Sequence, residues 1–90
     1  MPKYVIEREM PKAAELFAKQ GRELSETSNR VIREMGDVQW LHSYVSGDKV
    51  YCVYIAPNEE KLREHAQKGG FPINRVSEVK MMIDPTTGGR

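Results

Sequence analysis

The chain has 90 residues, 39% of them hydrophobic and 30% charged, and its formal net charge of +1 provides no basic patch for nucleic acid or a membrane surface. A chain of this length forms one domain with a modest core, so stabilisation by a second copy or a bound ligand is expected. No apolar run approaches the roughly 18 residues of a membrane span and the start lacks a signal-peptide pattern, so the sequence predicts a cytoplasmic protein.

The first third of the sequence predicts a strand followed by a long helix. Apolar and polar residues alternate from Lys3 to Met10, which is the period of a strand, and Pro11 suits the first turn of a helix. From Ala13 to Met35 the apolar residues recur at steps of three and four, which predicts one amphipathic helix. Gly36 is expected to end this helix as a glycine cap.

The middle of the sequence predicts a hairpin and a second helix. Two β-rich runs, Val38 to Ser46 and Lys49 to Ala56, flank Gly47-Asp48, which suits a two-residue turn. Asn58 is expected to cap the free amides of the next helix, and the glutamates after it suit the positive helix start. This helix is expected to end at Gly69-Gly70.

The order of the predicted elements, strand, helix, strand, strand, helix, strand, indicates the fold class. The last strand is expected from about Arg75 to Ile83. Right-handed crossovers place both helices on one face of a four-stranded antiparallel sheet, the ferredoxin-like α+β arrangement, and leave an open face on the other side. One domain is predicted over residues 1–84, with a flexible tail over residues 85–90.

The hairpin register predicts which side chains occupy the open face. Pairing across Gly47-Asp48 puts one largely aromatic set there: Trp40, His42, Tyr44, Tyr51, Val53 and Ile55. The other set is largely aliphatic and is expected beneath the helices: Leu41, Ser43, Val45, Val50, Cys52 and Tyr54. An aromatic face of this size predicts a homodimer that packs sheet against sheet. A turn one residue longer would exchange the two faces.

Three segments of the sequence resemble a known family. They are the start MPKYVIERE, the run VQWLHSYVSGDKVYCVYIAP and the run EEKLREHAQKGGFPINRVSEVKMMIDP. The family consists of small bacterial proteins with a ferredoxin-like, dimeric α+β-barrel fold, some of which are described as nickel-binding. The match spans nearly the whole chain except the first helix. The resemblance implies a barrel dimer with nickel near the subunit interface, and it implies no known catalytic reaction.

The sequence offers a set of candidate metal ligands: Glu7, Glu9, His42 and His65. Imidazole suits nickel, zinc and copper, and carboxylates add charge and oxygen ligands. Glu7 and Glu9 stand two residues apart on a strand, so they project from one face, where they repel unless a cation or a basic side chain separates them. His42 is expected on the same face, and a dimer interface would bring two such groups together. His65 is expected at the edge of the helix layer, in a second site or in none.

Two other functional interpretations stay open. In a small enzyme, an organic substrate would lie between helices and sheet, with His65 and His42 as acid–base candidates and Tyr54 as a hydrogen-bond donor. In a plain interaction module, the aromatic face only makes the dimer. The fold alone does not choose among these functions. We favour the metal-binding homodimer, acting as a nickel buffer or responder.

Purely structural roles compete with each candidate site. Glu7 and Glu9 would then form ion pairs with Lys80 and Arg75. The single cysteine, Cys52, excludes an internal disulfide and is expected to be a small buried hydrophobe.

Overall fold

A four-stranded antiparallel sheet with the strand order β2-β3-β1-β4 organises the chain. The computed structural model describes residues 1–89. Its elements are β1 (Lys3–Glu9), α1 (Ala13–Met35), β2 (Gln39–Val45), β3 (Lys49–Ile55), α2 (Glu59–Gly69), β4 (Arg75–Glu78) and a short 3₁₀ helix (Pro85–Gly88). The order of elements and the sheet topology confirm the predicted ferredoxin-like α+β class.

Side chains of the central strands alternate between a buried face and the open face. In β1 the residues Tyr4, Ile6 and Arg8 are buried, and the residues between them are partly exposed. In β3 the buried residues alternate in the same way. The helices therefore cover one face of the sheet. The open face carries, among others, Val5, Glu7, Glu9, His42, Tyr44, Tyr51, Val53 and Ile55.

Both helices end and begin at the residues that the sequence predicts. Gly36 ends α1 with φ of 79°, and its N–H donates to the carbonyl of Ile32. The side chain of Asn58 caps α2 by accepting the N–H of Lys61 at 3.0 Å. Gly70 ends α2 with φ of 74°. Within residues 1–89 neither helix has the length and apolar character needed to cross a membrane.

The hairpin differs from the prediction at one point. Tyr44 pairs with Tyr51 and His42 with Val53, as predicted, but the register shifts between Trp40 and His42. Trp40 therefore pairs with Tyr54, on the helix-covered side, where it packs against the core. Its predicted place on the open face was wrong, as was that of Leu41 beneath the helices, because a bulge breaks the alternation of side chains.

The last strand is shorter than predicted. It ends at Glu78 instead of Ile83. The N–H of Val79 still donates to the carbonyl of Lys3 at 2.8 Å, but β1 begins at Lys3, so later residues have no strand to pair with. In the predicted tail, residues 85–88 form the 3₁₀ helix, which Asp84 caps, and residue 90 lies outside the described residues.

The first prediction concerns the core between α2 and the sheet. Leu62 is fully buried, so Leu62→Ala is expected to lower the free energy of unfolding by about 2–5 kcal/mol. Leu41 at the bulge is 36% exposed, so Leu41→Ala is expected to change the free energy of unfolding by less than about 1 kcal/mol. Urea unfolding followed by circular dichroism measures both. Equal losses in the two variants would contradict this packing.

Candidate functional site

The open face carries three of the four candidate metal ligands. Glu7 and Glu9 project from β1, and His42 projects from β2. Strand β3 lies between them, since His42 is opposite Val53 and Val53 is opposite Val5. Two strand spacings put His42 about 10 Å from β1. The side chain of Val53 lies on the same face between them, so His42 does not adjoin either carboxylate within one copy.

Basic and aromatic side chains accompany these candidates. The Nζ of Lys49 lies 3.7 Å from Oε1 of Glu7, and both side chains are partly exposed. This pair replaces the predicted ion pairs with Arg75 and Lys80, since Lys80 contacts Glu78 instead. His42 is exposed and packs edge-on against the ring of Tyr44, with the ring centroids 5.1 Å apart. The imidazole of His42 is thus accessible from solvent.

A complete metal site does not form within one copy. Across residues 1–89, no group of three or more His, Cys, Asp or Glu side chains is placed to hold a metal ion together. Protein sites for transition metals commonly take at least three protein ligands. A tight site on the open face would therefore need ligands from outside one copy.

His65 lies on the other side of the sheet from the other three candidates. It is fully buried, its Nε2 lies 3.1 Å from Oγ of Ser28, and its ring stacks on Phe71 with the centroids 5.9 Å apart. Burial lowers the pKa of His65, and the guanidinium of Arg8 lowers it further. His65 is therefore neutral at neutral pH, and it does not share a site with Glu7, Glu9 and His42 on the open face.

A cavity of about 190 Å³ lies between α1 and the helix-covered face of the sheet. We call it the Arg8 cavity. Thirteen residues line it: Arg8, Met10, Phe17, Leu24, Ser25, Ser28, Trp40, Ser43, Val45, Val50, Cys52, Tyr54 and Phe71. The lining is mostly apolar, with a few hydroxyl groups and one cation. Under the enzyme interpretation, the sequence predicts an organic substrate in this location. The lining residues of the cavity do not identify a reaction.

Arg8 is the unusual member of this lining. Only 2% of it is exposed, and none of its three guanidinium nitrogens has a hydrogen-bond partner among residues 1–89. Its Cζ lies 5.8 Å from the ring centroid of Tyr54 and 5.6 Å from that of Phe71. The aromatic faces offset part of the cost of burying the charge.

Sequence reasoning missed both Arg8 and Ser28 as site residues. The alternation along β1 does contain a signal for Arg8, because it falls in phase with the apolar residues Tyr4 and Ile6. Ser28 gave no signal, since its partner His65 lies 37 residues away in the chain.

The fold and these two faces define a small ferredoxin-like α+β protein with ligand-type side chains on both sides of its sheet. The sequence model of the family described as "Nickel responsive protein SCO4226-like" matches residues 4–79, and the chain belongs to that family. The crystal structure of SCO4226 from Streptomyces coelicolor A3(2) is similar in fold, with a TM-score of 0.77 and 13% sequence identity. The similarity covers 90% of this chain and 99% of that chain. A comparison with curated proteins found no match.

The second prediction follows from the lowered pKa of His65. In the unfolded chain His65 takes up a proton near pH 6.5, whereas in the folded chain it takes up this proton only at lower pH. The folded state therefore loses stability as the pH falls below about 6.5, by at most about 1.4 kcal/mol per pH unit from this group. Between pH 7.5 and pH 5, the midpoint temperature of thermal unfolding is expected to fall less in His65→Gln than in the original chain.

An exposed position on α1 supplies the control for this experiment. Asn29→Gln is expected to keep the full decline, because Asn29 is exposed and carries no titratable group. The same decline in all three proteins would contradict the role assigned to burial of His65.

Proposed function

We propose that this chain is a nickel-binding homodimer that holds the metal where the open faces of two copies meet, as a buffer or a responder. The observation that carries the proposal is the joint position of His42, Glu7 and Glu9 on one face that the helices leave uncovered. The description of the family as nickel-responsive agrees with this choice of metal.

The donor set fits nickel. Neutral imidazole is a common ligand of Ni(II), and carboxylates add oxygen atoms and negative charge. Lys49 competes for Glu7, but an ion pair this exposed is worth about 1 kcal/mol or less, so a divalent metal ion displaces it. The proximity of Glu7 and Glu9 on one strand favours a bound cation, because the cation relieves their mutual repulsion.

The distances support a site shared between two copies. Sheets that pack face to face lie about 10 Å apart, so side chains from the two open faces meet midway. A two-fold axis that maps the β2 side of one copy onto the β1 side of the other would bring His42 of one copy toward Glu7 and Glu9 of the other copy. The same contact is repeated by symmetry, so the dimer would have two equivalent sites.

Exposed apolar side chains support the dimer itself. Tyr44 on the open face is 64% exposed, and Met81, Met82 and Ile83 after β4 are 76%, 77% and 69% exposed. Three consecutive apolar residues at such exposure are unfavourable on a monomer in water. A second copy would bury them, together with the half-buried valines and isoleucine of the open face.

The third prediction concerns nickel affinity. In calorimetric titrations of metal-free protein, the original chain is expected to bind Ni²⁺ saturably at micromolar concentration or lower. His42→Ala and Glu9→Ala are each expected to weaken binding at least tenfold, a loss of about 1.4 kcal/mol. Glu23→Ala, which removes an exposed carboxylate from α1, is the control and is expected to bind normally. Equal affinity in all four proteins would contradict the site.

The fourth prediction concerns the dimer. Val53 is half-buried near the centre of the open face, so Val53→Lys is expected to convert the protein to a monomer in sedimentation velocity. The same variant is expected to lose tight nickel binding, because its site would be incomplete. Gln20→Lys, on an exposed position of α1, adds the same charge and is expected to stay dimeric. A folded monomeric Val53→Lys variant with unchanged nickel affinity would refute the shared site.

A further inference from the structure

We infer that the Arg8 cavity is a binding site for a small monocarboxylate with an apolar body, whose carboxylate pairs with the guanidinium of Arg8. This site lies on the helix-covered side of the sheet, opposite the proposed nickel site. It does not depend on the proposed nickel function.

Among residues 1–89, the charge of Arg8 is unpaired. An arginine side chain stays charged in proteins and has five N–H donors. In this chain the guanidinium is buried, borders a cavity and donates to no group among residues 1–89. Buried charges are normally paired, since a lone charge removed from water is strongly unfavourable. An anion in the cavity supplies the missing partner.

Residues 1–89 place no acidic counterion in the cavity beside Arg8. None of the thirteen described residues that line the cavity is Asp or Glu. The ion pairs found in residues 1–89 all involve other basic residues. Burial raises the pKa of the Tyr54 phenol, against the opposing effect of Arg8, so the phenol is neutral at neutral pH. Since no side chain among residues 1–89 supplies the negative charge, we assign it to a ligand.

The size and polarity of the Arg8 cavity limit which ligands it can hold. A cavity of about 150 Å³ is enough to hold benzene. The Arg8 cavity, at about 190 Å³, therefore suits a ligand with about six to eight carbon atoms. Apolar side chains such as Phe17, Leu24 and Phe71 form most of its wall, and this disfavours a fully hydrated ion.

Two features suit a carboxylate as the polar end of the ligand. The planar guanidinium fork matches the two oxygens of a carboxylate in bidentate geometry. The hydroxyl groups of Ser25, Ser28 and Ser43 also line the cavity, and those of Ser25 and Ser43 add potential donors. Ser28 is held by its contact with His65, at 3.1 Å, so its position is fixed.

The cavity has a route to solvent at the edge of the sheet. Val45 lines it and is 42% exposed, and β2, which carries Val45, is the edge strand next to β3. A ligand can therefore enter between α1 and β2 without opening the central strands.

The test is ligand-observed ¹⁹F NMR with 4-fluorobenzoate, with hexanoate as a competitor. The original chain is expected to bind 4-fluorobenzoate, and hexanoate is expected to displace it. The neutral analogue 4-fluorobenzamide is expected to bind at least tenfold more weakly, because it carries no charge for Arg8. Equal binding of acid and amide, or displacement by inorganic phosphate but not by hexanoate, would overturn the inference.

Variants of Arg8 separate a binding role from a structural one. Arg8→Met keeps an unbranched side chain, removes the charge, and is expected to lose carboxylate binding at least tenfold. In the absence of ligand, it is also expected to raise the midpoint of thermal unfolding by roughly 4 °C or more, because a buried unpaired charge is gone. Arg22→Met, which removes a side chain that is 92% exposed, is the control and is expected to change neither quantity.

Thermal unfolding gives a second, independent readout. Benzoate is expected to raise the midpoint of the original chain and to leave that of Arg8→Met unchanged, since a ligand stabilises only a folded state that binds it. A lower midpoint in Arg8→Met, together with no effect of benzoate on the original chain, would show a structural role for Arg8 and refute the inference.

Discussion

Side-chain alternation along β1 is the constraint on which both candidate sites depend. Successive residues of a strand point to opposite faces, so Arg8 enters the buried side of the sheet while Glu7 and Glu9 project from the open face. A shift of one residue in register would bury two carboxylates and expose the guanidinium. Because β1 pairs with β3 on one edge and β4 on the other, its register is fixed from both sides. The same seven residues thus place opposite charges on opposite faces.

Both faces carry features that work against stability. A buried unpaired guanidinium costs several kcal/mol, a large share of the 5–15 kcal/mol by which a domain is stable. Two neighbouring carboxylates and a run of exposed apolar residues are also unfavourable in an isolated copy. Such local conflicts concentrate at functional sites, where a ligand or a partner removes them. This pattern is the physical reason for treating one face as a metal and dimer surface and the other as a small-molecule site.

Most of the fold was predictable from local patterns, whereas the exceptions depend on contacts distant in sequence. Periodicity and capping residues act locally, and the helix ends and strand order followed from them. The bulge that turns Trp40 inward has no such signal, and the end of β4 at Glu78 depends on where β1 begins. For the sites, alternation predicts that the candidate ligands Glu7, Glu9 and His42 share the open face, and the structure places them there. The pairing of Ser28 with His65, and the lack of a hydrogen-bond partner for Arg8 among residues 1–89, arise only when the helices pack on the sheet.

The central claim is that the two copies share each nickel site, and mixing two defective variants tests it most directly. The His42→Ala variant is mixed with a double variant that carries both Glu7→Gln and Glu9→Gln. Partial unfolding and refolding exchanges the chains, and the bound nickel is measured after gel filtration. If His42 of one copy and the glutamates of the other form each site, the mixed dimer regains one intact site, while both parents bind nickel at least tenfold more weakly than the original chain. Failure of the mixed dimers to bind nickel, with both parents folded and dimeric, would contradict the account.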